Sequence, residues 1–216
     1  MKISDVTYIR KRRKELKGLM SNFFNDLSES CIPSYCHSNR LASFVAWNRL
    51  FIARNYHRKY STGSLVLDFG AGSGELGHLL SPINEYSFIE ELDELAYFIN
   101  RSNPSSNRAH LDSLDREKYD AIFCLDSLEH NSDYPTLIDK LLISLKPSGV
   151  FIISGPTENS LYKLGRKISG FKGDYHETNI FSIENYLKVH LKKIDICFAP
   201  FRLPLFSISV WEKVTN

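Results

Sequence analysis

An apolar run that ends in three alternating glycines constrains this chain more than any other feature. Residues 65–77 read Leu-Val-Leu-Asp-Phe-Gly-Ala-Gly-Ser-Gly-Glu-Leu-Gly, so that a strand-like run leads into Gly70, Gly72 and Gly74 and then into a helical segment. Glycine allows torsions that are closed to other residues, and its missing Cβ lets a ligand approach the backbone. The segment predicts a strand, a ligand-binding turn and a helix in succession, with a ligand-free tight turn as the alternative.

The residues after position 60 alternate between short apolar runs and helical segments. We expect strands at 65–68, 86–90, 109–111, 121–125 and 150–154, and helices at 75–80, 92–100 and 136–145, the last stopped by a turn at 146–149. Such short runs, apolar on both faces and separated by helices, predict a parallel α/β sheet covered on both sides. The runs at 193–198 and 206–214 leave no room for a helix between them and predict an antiparallel pair at the sheet edge.

The first 60 residues show helical rather than strand periodicity, and we expect an N-terminal helical extension (1–60) before one α/β domain (61–216). The basic run at 10–14 is interpreted as a solvated helix face. The chain has 27 Lys and Arg against 25 Asp and Glu, a net charge of +2, so no nucleic-acid partner is expected. Scattered cysteines and the lack of a long apolar window favour a cytoplasmic, at most membrane-peripheral, protein.

Residues 72–77 alone also fit the dinucleotide pattern G-x-G-x-x-G, which leaves an NAD oxidoreductase open. However, Asp68 stands at the strand end just before the first glycine, where it would repel a pyrophosphate. S-adenosylmethionine (SAM) carries an ammonium and a sulfonium group, and a carboxylate near the loop favours such a ligand. SAM is therefore the predicted cofactor.

Residues 65–74 resemble motif I of class I SAM-dependent methyltransferases, and the similarity extends over about 65–214. The resemblance implies a Rossmann-like seven-stranded sheet with helices on both faces, six strands parallel and the last antiparallel. It also implies that the cofactor is held at the first strand by Asp68, Gly70, Ala71, Gly72 and Gly74.

Further cofactor contacts are expected at the ends of the next strands. Glu90 and Glu91 follow the second strand, and an acid there can accept both ribose hydroxyls; we favour Glu90, with first-turn helix acids as the alternative reading. Asp112 and Ser113 stand where the resemblance implies adenine binding, although Asp112 can equally be an ordinary loop acid. Leu125, at the end of the fourth strand, completes the expected cofactor site.

Residues 119–130 resemble the family's fourth strand and the Leu-Glu-His segment after it. Because ligands of open α/β sheets bind at the carboxyl ends of the strands, Asp126, Glu129 and His130 are expected near the methyl group. His130 is the leading candidate for the base and Asp126 a second catalytic candidate, while capping of the next helix is the alternative role for Glu129 and His130. A divalent ion held by these three side chains is conceivable but not expected.

We interpret residues 155–178 as a lid-like insertion, with an ordinary surface helix that carries solvated Lys and Arg as the alternative. Leu161, Leu164, Ile168 and Phe171 share one helical face, and Lys163 lies elsewhere, a composition that suits contact with an acceptor or with anionic lipid. The segment loosely resembles the insertion of ubiquinone-type O-methyltransferases, which implies an oily or membrane-presented acceptor. His176, at its end, is a third catalytic candidate.

The leading hypothesis is O-methylation of a small-molecule, glycan or lipid-linked hydroxyl. The alternatives are an RNA or protein methyltransferase and a non-catalytic SAM-binding protein. No Asn-Pro-Pro-Tyr motif follows the fourth strand, where residues 125–128 read Leu-Asp-Ser-Leu, and this argues against adenine or glutamine nitrogen targets. The oligomeric state is not predicted.

Overall fold

One seven-stranded sheet forms the centre of the protein. The computed structural model describes residues 3–23, 32–61, 63–80, 85–168 and 178–214. Its helices are α1 (Ile3–Phe23), α2 (Ile32–Cys36), α3 (Arg40–Tyr60), α4 (Glu75–Leu80), α5 (Asp93–Ser102), α6 (Tyr134–Ser144), α7 (Ser160–Ile168) and α8 (Ile180–His190). Its strands are β1 (Leu65–Phe69), β2 (Glu85–Ile89), β3 (Asn107–Arg108), β4 (Tyr119–Leu125), β5 (Leu145–Pro156), β6 (Leu191–Ala199) and β7 (Phe206–Lys213).

The strand order is β3-β2-β1-β4-β5-β7-β6. Strands β1 to β5 pair in parallel, whereas β7 runs antiparallel to both β5 and β6. The expected Rossmann-like sheet and its antiparallel C-terminal pair are therefore confirmed. Because β1 has β2 on one side and β4 on the other, a crevice opens at the carboxyl ends of β1 and β4.

Both faces of the sheet are covered, which explains why its strands lack polar alternation. Val66 of β1 packs into a core shared with α1, α3, α4 and α5, and its neighbour Leu67 packs into a second core with α6 and α8. Trp47 of α3 is 1% exposed and lies in the first core. The helical periodicity expected before residue 60 is borne out by α1 and α3, and α3 belongs to the sheet's own packing.

Two boundaries differ from the sequence expectations. The third strand is β3, only two residues long, and Leu111–Ser113 is a 3-10 turn instead of the end of a strand at 109–111. The turn expected at 146–149 lies within β5, whose register with β4 shifts between Tyr119 and Ala121. The pattern of apolar residues does not indicate how long a short edge strand is or where the register of a strand shifts, so neither boundary could be predicted. Within the described residues, no helix is long and apolar enough to cross a membrane.

Candidate active site

The glycine turn adopts the conformation that its sequence predicts. Gly70, Gly72 and Gly74 have φ angles of 72°, 57° and 74°, in the left-handed region that favours glycine. A Cβ at Gly70 would lie 2.5 Å from the Cβ of Ser127, so close approach also requires glycine there. A Cβ at Gly72 would meet nothing within 4 Å. The turn therefore faces open space at Gly72, as a cofactor cradle must.

This open space is a cleft of about 390 Å³ at the carboxyl ends of β1, β2 and β4. Most of the predicted site residues line this cleft. They are Asp68, Gly70, Ala71, Gly72, Glu90, Glu91, Leu125, Asp126 and His130. Gly74, Asp112 and Ser113 are not among the described residues that line it. A larger groove of about 1010 Å³ lies between α1 and α5 and contains none of the predicted residues.

Asp68 lies at the buried end of β1 with 3% of its surface exposed. The Tyr86 hydroxyl donates a hydrogen bond of 2.7 Å to its Oδ2. Burial raises the pKa of Asp68 to about 7, and the nearby Glu90 carboxylate adds to this effect. A cationic ligand group would offset both contributions, so the position suits the positive charges of SAM. Sequence reasoning missed Tyr86 because its partner is on another strand.

Glu90 is fixed to the glycine turn by backbone hydrogen bonds. The Gly72 N–H donates to its Oε2 over 2.7 Å, and the Leu92 N–H donates to its Oε1 over 3.1 Å. Burial raises the pKa of Glu90. Glu91 is exposed, and its carbonyl, like that of Glu90, accepts from Arg108. The geometry thus places the Glu90 carboxylate, more than that of Glu91, against the turn.

Asp112 and Ser113 lie apart from this arrangement. The Asp112 side chain is 85% exposed and forms an ion pair of 2.7 Å with Lys140, which lowers the pKa of Asp112. The Ser113 hydroxyl donates to the His110 carbonyl over 3.2 Å. Their predicted contact with adenine stays a prediction.

Asp126 lines the cleft where β4 ends. It has a left-handed backbone with φ of 53°, and it forms a buried ion pair with Arg49 of α3. The Arg49 guanidinium also lies 4.1 Å from the centre of the Phe206 ring, and the Ser154 hydroxyl donates to Asp126 Oδ1 over 3.1 Å. Arg49 is a site residue that sequence reasoning missed, because nothing near it in the sequence marks it. Asp126 is therefore an ion-paired group.

Glu129 and His130 follow in a 3-10 turn, Leu128–His130, with different surroundings. Glu129 is 1% exposed, and within the described part of the chain neither of its carboxylate oxygens has a hydrogen-bond partner. Burial, together with Asp126, raises the pKa of Glu129 well above its usual range. His130 is half-buried and lines the cleft. In the described ranges, no group of three or more His, Cys, Asp or Glu side chains could hold a metal ion, so the structure gives no support to an ion at Asp126, Glu129 and His130.

The N-terminal helices close the cofactor side of the cleft. Arg12 of α1 contacts both carboxylate oxygens of Glu75, the first residue of α4, at 2.5 and 3.0 Å, and the Tyr8 hydroxyl donates to Glu75 over 2.8 Å. Ile32 and Tyr35 of α2 line the cleft itself. The interpretation of residues 10–14 as a solvated helix face is wrong for Arg12. This residue is 5% exposed because it forms a buried ion pair with Glu75.

The lid-like insertion is described as far as residue 168. Tyr162 of α7 packs edge-on against Phe206 with ring centres 5.3 Å apart, whereas Leu161 and Leu164 are 44% and 53% exposed. The Asn159 side chain caps α7 by accepting from the Tyr162 N–H over 2.8 Å. His176 lies outside the described residues, so its catalytic role stays a prediction.

Comparison with known proteins decides the family. A family model described as a methyltransferase domain matches residues 42–189. The chain is a class I SAM-dependent methyltransferase. Its cofactor is SAM, which the glycine cradle at Gly72 and the carboxyls of Asp68 and Glu90 fit, and the NAD reading is set aside. No curated protein matches the sequence significantly.

Solved structures share the methyltransferase fold at low sequence identity. Magnesium protoporphyrin IX methyltransferase from Synechocystis, solved with bound S-adenosylhomocysteine (SAH), is 17% identical with a TM-score of 0.68, covering 92% of this chain and 100% of that one. The N-methyltransferase NodS from Bradyrhizobium japonicum, in complex with SAH, is 13% identical with a TM-score of 0.64, covering 79% and 88%. The PH0226 protein from Pyrococcus horikoshii is 16% identical with a TM-score of 0.66, covering 84% and 96%. At such identities the similarity shows the fold alone.

Proposed function

We propose that this methyltransferase methylates a hydroxyl group of a small-molecule, glycan or lipid-linked acceptor, with His130 as the base. The observation that carries the proposal is that His130 lines the same cleft as the glycine turn, in the 3-10 turn that follows β4, the strand next to β1. Methyl transfer needs an acceptor aligned with the sulfonium carbon and, for a hydroxyl acceptor, removal of one proton. An imidazole at the cleft wall can act as the acceptor of that proton.

The cofactor assignment follows the same geometry. SAM supplies the electrophilic methyl group when it is bound. We assign the ribose to Glu90 and the cationic groups near Asp68, because these two carboxyls flank the glycine turn. Leu125 and Ala71 line the cleft between these positions and the acceptor end.

Exposed apolar side chains on α7 and on the loop before β7 support an acceptor with an apolar portion and peripheral contact with a membrane. Leu161 and Leu164 of α7 are exposed, and the adjoining loop at 200–205 presents Phe201, which is 75% exposed and stacks on Phe44 with ring centres 5.4 Å apart. The loop is joined to the start of α7, because the Thr157 N–H donates to Leu205 over 3.0 Å. Phe201 and Arg202 have left-handed φ angles of 51° and 64°, a strained conformation that often marks functional sites.

The test is a screen for SAH formation with hydroxyl-bearing acceptors, from soluble phenols and glycans to lipid-linked alcohols in vesicles. We expect a product that gains one methyl group on oxygen, with faster turnover for acceptors that carry an apolar chain. Nitrogen methylation in the product, identified by mass spectrometry and NMR, would contradict the proposal. Equal turnover of soluble and lipid-linked acceptors would contradict the proposed membrane contact but not hydroxyl methylation.

A further inference from the structure

Strand β3 covers only part of its neighbour β2. The two residues of β3 pair with Ser87 and Phe88, and the Ala109 N–H adds one backbone hydrogen bond, of 2.8 Å, to the Phe88 carbonyl. Glu90 and Glu91 come after β2, beyond the two residues that pair with β3. The strand pairing of β3 therefore stops short of the backbone that carries these two acids.

The Arg108 side chain reaches this backbone from the end of β3. Its Nη2 donates to the Glu90 carbonyl over 2.8 Å and to the Glu91 carbonyl over 3.4 Å, and its Nη1 forms an ion pair of 2.7 Å with Asp93. A guanidinium is planar and holds its donors in a fixed fork, so contacts to several acceptors of one turn restrict the position of that turn. One side chain of β3 thus fastens the connection between β2 and α5.

The two carbonyl contacts contribute more to this than the ion pair does. The Asp93 side chain is 84% exposed, and ion pairs at such exposed positions stabilise a structure little. The Arg108 side chain is 27% exposed, and its hydrogen bonds to the carbonyls carry a full positive charge on the donor. The backbone of Glu90 and Glu91 is therefore what Arg108 holds in place.

The fastened backbone carries Glu90, to which we assigned the ribose. On the β1 side, the Gly70 N–H donates to the Ile89 carbonyl over 3.0 Å, and on the β3 side Arg108 donates to the Glu90 carbonyl. The Glu90 carboxylate itself accepts from the Gly72 N–H. Arg108 is not among the described residues that line the cleft, so it acts on the cofactor site through this backbone.

We propose that Arg108 is a positioning residue for cofactor binding, which fixes the Glu90 backbone so that the carboxylate can accept the ribose hydroxyls. The inference rests on the assignment of the ribose to Glu90 in the proposed function. Each Glu90 oxygen already accepts one backbone hydrogen bond, and a carboxylate oxygen can accept a second one. The second bonds form only when the carboxylate has the correct orientation, and a shift of its backbone would weaken them.

The first test is a double-mutant cycle, measured by calorimetric titration with SAH. Arg108→Met is expected to weaken SAH binding about tenfold, on the scale of one hydrogen bond. In a Glu90→Ala background the same change should weaken binding less than about twofold, because two residues that act as a unit are not additive. Arg116→Met, at an exposed position before β4, is the control and should leave affinity unchanged. Equal factors in both backgrounds, or no loss in the wild-type background, would overturn the proposal.

The second test separates the positioning of Glu90 from general support of the fold. It compares the affinity for SAH with the affinity for an SAH analogue that carries 2′-deoxyribose. Arg108→Met should reduce the preference for SAH over the analogue, whereas an equal loss of affinity for both ligands would overturn the proposal. Asp93→Asn should keep the wild-type preference, because the exposed ion pair contributes little.

A conservative variant keeps this comparison possible if Arg108→Met does not fold. Arg108→Lys retains the charge but has no planar fork, so it should recover the preference for SAH only in part. A preference equal to that of the wild-type protein in Arg108→Lys would show that the fork is not required and would overturn the proposal.

Failure of the ribose assignment gives a different result. An unchanged SAH affinity in Glu90→Ala would overturn the assignment and, with it, the role of Arg108. A loss of affinity in Glu90→Ala, together with equal factors for Arg108→Met in both backgrounds, would overturn the role of Arg108 alone. Neither titration needs a methyl acceptor, so a failure of hydroxyl methylation is detected separately, in the acceptor screen.

Discussion

The part of the cleft at the glycine turn, assigned above to the cofactor (the cofactor half), and the part at Asp126 and His130, assigned to the acceptor (the acceptor half), are built in different ways. On the cofactor side, polar groups are paired within the protein: Glu90 with the Gly72 N–H, Asp68 with Tyr86, and Glu75 with Arg12. On the acceptor side, Asp126 has a left-handed backbone and Glu129 is buried without a hydrogen-bond partner among the described residues. Removal of one partner of a buried ion pair is strongly destabilising, and a buried polar group without a partner lowers the stability of the free protein.

The difference indicates which polar side chains already have their hydrogen-bond or ionic partners before a ligand binds. The cofactor half is already organised in the free protein, so the loss of one of its charges should weaken folding or cofactor binding. The proposed function places the acceptor near His130, so a change at His130 should alter turnover more than stability. Each prediction below tests one side of this comparison.

The largest effect is expected from Arg12→Met. It leaves Glu75 buried without its cation, and such a change costs about 3–5 kcal/mol of the free energy of unfolding. Urea denaturation measures the loss. Arg10→Met, at an exposed position of the same helix, is the control and should leave stability unchanged. If Arg12→Met is as stable as the control, the ion pair between Arg12 and Glu75 does not contribute to the stability of the cofactor half.

His130→Ala is expected to lower kcat by roughly 10²-fold or more while SAM affinity stays constant, because the variant lacks the base but retains the cofactor contacts. Steady-state SAH formation and calorimetric titration with SAM measure the two quantities. His110→Ala, at an exposed position, is the control. Partial rescue by added imidazole would support a base. Undiminished turnover would show that the alignment of the acceptor suffices.

Glu90→Ala should weaken SAM binding roughly 10- to 100-fold, because hydrogen bonds to a charged group contribute about 1.5–3 kcal/mol. Calorimetric titration of the variant and of Glu91→Ala provides the comparison. The exposed Glu91 forms no hydrogen bond with the glycine turn among the described residues, and its removal should change affinity little. A larger loss for Glu91→Ala would reverse the assignment of the ribose.

SAM affinity is expected to rise with pH by about tenfold between pH 6 and 8. The pKa of Asp68 in the free protein is about 7, so its carboxyl is largely protonated at pH 6. A cationic ligand favours the ionised form, so binding releases a proton and strengthens as pH rises to 7, with little change above. Asp68→Asn should remove this slope. A SAM affinity that does not change with pH in the wild-type protein would mean that the Asp68 carboxylate does not interact with the positive charge of the cofactor.

The cofactor half could be predicted from sequence because its determinants are local. Gly70, Gly72 and Gly74 lie next to Asp68 in the chain, and Glu90 follows the next strand, so apolar patterning and motif spacing were sufficient. The acceptor half depends on contacts between distant segments: Arg49 on α3 meets Asp126 after β4, and Phe206 of β7 lies beneath the guanidinium. No local sequence pattern marks Arg49. The burial of Arg12 was not predicted because a basic run does not indicate which of its side chains is buried.

The position of β7 sets the order in which this enzyme can be assembled during synthesis. Strand β6 has β7 as its neighbour in the sheet, yet β7 is made after it. On the ribosome, β6 therefore emerges before the strand that joins it to the sheet, and the sheet can be completed only when β7 has followed. Because Phe206 begins β7 opposite Pro156 of β5, the ring that packs against Arg49 reaches its place only when β7 enters the sheet between β5 and β6.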